Sequence, residues 1–174
     1  MNTPRALRRS LWIALLLGGA ALPLPAAAQA PVTAAKAEAD QRFRRGLDLY
    51  KEGDFAQALI ELKRAYSLAP RYQALYNIGL VQYELGEYAE ALRTFEKYLA
   101  DGGAGLSDEK KASVKADMEK LRLRVGRIEI VTAAAGAEIA IDDVPAGKTP
   151  LADTLLVTAG RRRVTLSSGG QTVH

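Results

Sequence analysis

The sequence predicts an α+β chain of two domains, an N-terminal array of α-hairpins followed by a small antiparallel β-sandwich, on three observations. Two stretches repeat each other at an offset of 33 residues: Gly46, Leu47, Tyr50, Gly53, Ala56, Ala58 and Leu59 recur as Gly79, Leu80, Tyr83, Gly86, Ala89, Ala91 and Leu92. Beyond Gly126 the apolar period changes from helical to alternating. All seven tyrosines and all three phenylalanines lie between Phe43 and Tyr98, which divides the chain sharply. A repeat of this length marks a helix pair that cannot bury its apolar face alone and, once stacked, offers an extended binding surface. It points away from catalysis.

The N-terminal residues read as a secretory signal over 1–28, with Arg5, Arg8 and Arg9 ahead of an apolar run from Leu11 to Leu22 and small residues from Ala26. Gly18, Gly19, Pro23 and Pro25 break that run, which falls short of the ~20 residues a spanning helix needs. Cleavage after Ala28 and no membrane span thereafter are expected, which makes the chain exported and periplasmic or envelope-associated. Of the net charge of +4, three charges belong to the leader arginines, leaving +1. With signs alternating along the remainder, no one-signed stripe is present to hold phosphates, so nucleic acid is not an expected partner. The chain has no cysteine, hence no disulfide, thiolate metal site or acylated cysteine anchor. Residues 29–38 are small and polar and are expected to form a disordered lead-in.

From Ala39 to Ala100 the apolar residues fall at helical spacing, and each repeat divides at Gly53 or Gly86. Glycine there takes the left-handed conformation that ends a first helix, at a cost of about 1 kcal/mol to other residues. Ala58 and Ala91 are small where the paired helices cross, and Pro70 stops the first pair. This pattern of glycine, aromatic, alanine and proline positions resembles the tetratricopeptide repeat family in both copies. A third helix is expected from Ser107 to Arg124, capped by Ser107, with Asp108 and Glu109 suiting the helix dipole. Its stripe of Val114, Met118, Leu121 and Val125 is expected to cover the open end of the second repeat, so the helical domain spans 39–125. The stripe is under two heptads, too short for the competing coiled-coil reading. Asp101 to Leu106, with three glycines, reads as a flexible joint.

In 126–174, Ile128 and Ile130, Ile139 and Ile141, Leu155 and Val157, and Val164 and Leu166 alternate as four short strands between glycine and proline clusters. The order of turns, Ala135-Gly136-Ala137, Asp142-Asp143, Gly147-Lys148-Thr149-Pro150-Leu151 and Ala159-Gly160-Arg161, resembles the PEGA domain, a small β module of exported and cell-surface proteins. The final strand is expected to be short or missing.

Catalytic and cofactor chemistry find little support. Gly147-Lys148-Thr149 lacks the earlier glycine of a phosphate loop and has Asp142 in its place, so a β-turn is the better reading. Gly102-Gly103-Ala104-Gly105 has neither a preceding strand nor a suitably placed lysine. The single histidine is His174, which leaves no serine triad and no two-histidine metal site. Asp142 and Asp143 are adjacent and suit a turn better than a cation. No enzyme activity, cofactor or metal is expected.

The candidate site is a groove. In the resembled repeat fold the first helix of each pair lines a concave face, which implies Asp40, Phe43, Arg44, Leu47, Tyr50 and Lys51, then Gln73, Tyr76, Asn77, Leu80, Tyr83 and Glu84. Some family members grip a terminal carboxylate with a lysine and two asparagines. Only Asn77 matches, with Phe43 and Leu47 in the other two places, so a chaperone tail is not the expected ligand. Tyrosines that join apolar area to a hydroxyl suit recognition surfaces, although interhelical packing claims some of them. The expected partner is a protein or peptide of the envelope, held as an extended peptide or helix. The alternative is a structural cell-surface protein whose β module binds wall or surface polysaccharide.

Overall fold

The structure, a computed structural model, describes residues 26–169 and 171–173. Five α-helices come first: α1 (Ala26–Glu52), α2 (Phe55–Leu68), α3 (Tyr72–Glu84), α4 (Tyr88–Gly102) and α5 (Asp108–Arg122). Six strands follow: β1 (Val125–Ile128), β2 (Glu138–Ile141), β3 (Val144–Lys148), β4 (Leu155–Thr158), β5 (Val164–Ser168) and β6 (Gln171–Val173). The predicted α+β layout is therefore present.

The two hairpins, α1–α2 and α3–α4, end their first helices identically. Gly53 and Gly86 have φ of 83° and 74°, as the left-handed cap requires. Around Gly53 the amide of Asp54 donates to Leu49 O (3.0 Å) and that of Gly53 to Tyr50 O (3.1 Å); Glu87 to Gln82 O (2.8 Å) and Gly86 to Tyr83 O (3.0 Å) repeat the pattern. These paired bonds satisfy carbonyls that the helix end leaves orphaned. Ala58 and Ala91 are fully buried at the crossings, as expected. The closest approach belongs to the glycines on the facing helices. A Cβ on Gly46 would lie 2.7 Å from Leu62, and one on Gly79 the same 2.7 Å from Phe95. Leu62 and Phe95 are themselves one repeat apart, so each glycine seats the large side chain of its own hairpin.

Helix α5 closes the array. Ser107 Oγ accepts from the Lys110 amide at 3.2 Å as the cap, and Val114, Met118 and Leu121 join Leu75, Ile78, Leu92, Phe95 and Tyr98 in one core. The segment expected as a flexible joint is ordered: α4 runs to Gly102, Gly103–Gly105 form a 3₁₀ turn, and Leu106 is buried. Gly102 serves close approach, since a Cβ there would collide with Leu106.

The disordered lead-in is likewise corrected, because α1 begins at Ala26 and continues through 29–38. Alanine is the strongest helix former, and Ala30, Ala34, Ala35 and Ala37 outweigh the small-polar composition that suggested disorder. The leader reading falls on residues 1–25, outside the described residues, apart from the last three of its span, which open α1.

The β region has two antiparallel sheets, β1–β4 and β3–β2–β5–β6. One strand, β3, was not expected. β3 contains Pro145 and Gly147, which argue against a strand, and it pairs with β2 through a register shift after Ile139. β6 pairs Val173 with Leu166, so the last strand is short but formed. Asp142 and Asp143 both have positive φ, 49° and 68°, as a two-residue I′ hairpin demands, confirming their turn role. Thr149, from the Gly-Lys-Thr-Pro-Leu element, is a buried pin. Its hydroxyl donates to Ala134 O and accepts from the Ala137 amide (3.0 Å), while its carbonyl accepts from Gly136 (2.8 Å). That element is structural.

The small sheet belongs to the helical body. Val125 and Leu156 pack on the helical core. The Ala89 amide at the start of α4 donates to Thr158 Oγ1 (3.1 Å), Arg93 Nη1 to Leu156 O (3.0 Å) and the Ala159 amide to Arg124 O (2.8 Å). These contacts fall on α4, the second helix of the second hairpin, and on the end of α5, so the sheet leaves the α1–α3 side to solvent.

Candidate functional site

The helical register brings the predicted groove residues onto neighbouring helices, but they divide into three groups. Leu47, Tyr50, Asn77 and Leu80 close on one another around a crevice of only about 10 Å³, too small for any ligand. Here interhelical packing wins: Tyr50 stacks on Phe55 with ring centroids 5.5 Å apart, and burial, with Glu84 and Tyr76 nearby, pushes its hydroxyl pKa up. Tyr76 is also committed, lying 5.5 Å from Tyr98 and 6.0 Å from Phe95, with Lys110 Nζ of α5 3.5 Å above its ring.

A second group is exposed and available at the surface. Tyr83 is 40% exposed and meets Tyr88 edge-on at 5.6 Å, and Glu84 beside it is exposed. Lys51, also exposed, pairs with Asp48 of its own helix at 3.1 Å, while Asn77 of the first group spends its Nδ2 on Gln73 O at 3.2 Å.

The third group frames a real depression. Phe43 and Gln73, with Ala39, Ala65, Ala69, Arg71 and Ala74, line a socket of about 270 Å³ where α1, the end of α2 and the start of α3 meet. At its rim Asp40 bonds Arg71, and that guanidinium holds the Asp40 carboxyl below its ordinary range. Lys36 and Arg44 act on the same carboxylate, so three cations surround one anion. A shallower apolar hollow lined by Val32, Ala35, Lys36, Leu68, Ala69 and Arg71 adjoins the socket. Reading for chemistry-bearing side chains passes over these alanines. The signal that finds them is the repeat itself, because one period on the counterparts of Ala39 and Ala65 are Tyr72 and Tyr98.

Elsewhere, a cleft of about 370 Å³ opens between α4, β4 and the β2–β3 hairpin. Two carbonyls of β4 are already occupied there, Leu156 O by Arg93 and Thr158 O by Arg162 Nε (2.8 Å), and Pro145 removes a donor from β3. These features blunt the edges against strand addition. At the hairpin tip Asp142 accepts from the Arg163 amide and Arg162 Nη1, both at 2.9 Å, which holds its carboxyl below the usual range. Among the described residues no group of three or more His, Cys, Asp or Glu is placed to hold a metal, and no helix is long and apolar enough to cross a membrane.

Residues 73–101, which span α3 and α4, match the tetratricopeptide repeat family. A comparison with curated proteins finds no match. Tetratricopeptide repeats mediate protein–protein interactions, and proteins built from them are typically non-enzymatic adaptors. The matched hairpin is the second of the two. The first shares its 33-residue register, its left-handed glycine and its glycine-seated crossing.

Proposed function

We propose that the chain is an exported cell-envelope adaptor that holds an extended peptide or helix of a protein partner on the α1–α3 face, with the β region as a PEGA-like module fixed to its back. The observation that carries this reading is the one-sided docking of the β1–β4 sheet. It covers α4 and the end of α5 while Tyr83, Glu84 and the Phe43–Gln73 socket stay open. Support for export comes from the basic, then apolar, then small-residue leader in the sequence. An open face carrying a recess at the start of α3 and a half-exposed tyrosine at its end suits a partner with an apolar anchor.

The test is recovery of partners from envelope extract by the full chain and by a Tyr83→Ala, Glu84→Lys variant. Glu84 is exposed and Tyr83 half-exposed, so the variant should remain folded, with a small fall in melting temperature from loss of the Tyr83–Tyr88 contact. Loss of a specific partner supports the adaptor. Equal recovery counts against it, and co-sedimentation with insoluble wall material that the variant retains would favour a polysaccharide-binding role for the β region.

A further inference from the structure

The two repeats place different side chains at the same structural positions, and the difference leaves a hole in only one of them. In the second repeat, Tyr72 and Tyr76 pack at a tilt against Tyr98, at 5.9 and 5.5 Å between ring centroids, and Leu106 covers Gly102, so the junction of α3, α4 and α5 is filled by side chains. Tyr98 is only 4% exposed. One period earlier, Ala39 stands for Tyr72 and Ala65 for Tyr98, while Phe43 matches Tyr76. Two missing phenol rings account for the socket of about 270 Å³ at the α1–α2–α3 junction. The chain therefore shows, in its own second repeat, which kind of group this junction is built to hold.

We propose that the socket of the first repeat receives an aromatic side chain of the partner, and that the partner segment is acidic on either side of that residue. This rests on the adaptor reading above. Shape argues for the ring, because two of the alanines that line the space, Ala39 and Ala65, are tyrosines a repeat later. Charge argues for the flanks. Arg71 pairs with Asp40, Arg44 Nε bonds the Asp40 backbone carbonyl, and Lys36 also acts on that carboxylate, so this part of the rim carries three cations to one anion. Arg71 is committed to Asp40, but Lys36 is exposed and makes no ion pair among the described residues, so its ammonium is free to meet a carboxylate. The leader is a poor occupant, since Arg5, Arg8 and Arg9 carry the same sign as the rim. A partly exposed aromatic anchor in a recess, with charges at the edge, is a recurrent way in which a few residues carry most of a binding energy.

The probe is a fluorescein-labelled synthetic peptide with one central tyrosine flanked by glutamates, titrated into the full chain and followed by anisotropy. Controls replace the tyrosine by alanine or the glutamates by lysines. Ala65→Tyr imports the residue that fills the second repeat. It should hold or raise the melting temperature while weakening the glutamate–tyrosine peptide by about tenfold or more, which is about 1.4 kcal/mol. Ala69→Leu, at a half-buried position on the socket wall, gives the same loss without relying on a buried substitution, and Lys36→Glu should narrow the preference for glutamate over lysine flanks. Weaker binding of both control peptides completes the expected result. No binding of the glutamate–tyrosine peptide to the parent chain, or binding unchanged in Ala69→Leu and in a folded Ala65→Tyr, overturns the socket. If such unchanged binding is nonetheless lost in the Tyr83→Ala, Glu84→Lys variant, the socket falls and the adaptor face stands. Concentration-dependent self-association that Ala69→Leu abolishes, with no peptide bound, assigns the socket to a second copy and also overturns the proposal.

Discussion

The first and second repeats are built on one pattern yet are completed by different means. Each hairpin turns at a left-handed glycine and seats a large side chain on a helical glycine, Leu62 on Gly46 in one and Phe95 on Gly79 in the other. Their second helices start differently. Asp54 accepts from the Gln57 amide at 3.2 Å and caps α2 from within the repeat. One period on, the position is Glu87, which makes no side-chain cap, and Thr158 of β4 accepts from the Ala89 amide instead. Their interiors differ as well, alanine-lined and open in the first, packed with tyrosine in the second. The second repeat is finished by its neighbours, α5 and the small sheet, and the first is left open for something else.

The largest effect expected is at the seated side chains. Phe95→Ala removes a ring from the common core and should cost about 3–5 kcal/mol, with Leu62→Ala at about 2–5 kcal/mol, both read from urea unfolding. A loss below ~1 kcal/mol for either would mean that its hairpin is not packed as described. Gly79→Ala comes next, because the new methyl meets the Phe95 ring; overpacking of about 1–3 kcal/mol should outweigh the helix preference for alanine. In the Phe95→Ala background the same change should cost far less, and strict additivity would contradict the contact.

The caps give the sharper comparison. Thr158→Val and Asp54→Ala should each cost about 0.5–2 kcal/mol, one acting across the chain and the other locally. Adding Glu87→Asp to Thr158→Val rebuilds the first repeat's cap in the second and should restore part of the loss. No recovery would show that Thr158 acts in some other way.

The smallest effect is electrostatic and belongs to the first repeat and the hairpin tip. The Asp40 carboxyl is lowered by the Arg71 side chain and that of Asp142 by the Arg163 amide and then Arg162, so the stability they add is present above the ordinary aspartate value and is lost as pH falls through the lowered folded-state values. The second repeat has Gln73 where the first has Asp40, so it has no carboxylate at that position to protonate. Asp40→Asn should therefore flatten the acid limb of a melting-temperature profile, and an unchanged limb would remove Asp40 from the account.

Much of this was legible because local conformational demands leave local signs. Gly53, Gly86, Ser107 and Asp142-Asp143 announce turns and caps that only a few residue types satisfy, and the 33-residue period announces the stacking. What was hidden depended on long range or on absence. Thr158 reaches α4 from 69 residues away. β3 is a strand despite Pro145 and Gly147, because the I′ turn delivers it against β2 and tertiary pairing overrides propensity. The lead-in was misread by weighing polarity over the helix preference of alanine. At the site, Leu47, Tyr50 and Leu80 had the right face but are largely spent on packing, whereas the socket is made of side chains that are missing. Only comparison of one repeat with the next shows that.

The most direct test of the open face is a photoreactive amino acid placed singly at Tyr83 of α3 and at Ile60 of α2, the latter 57% exposed, with irradiation of intact cells producing the chain. The account predicts a discrete protein adduct from position 83 and none of the same mass from position 60. An adduct formed equally from both, or from position 60 alone, would contradict it.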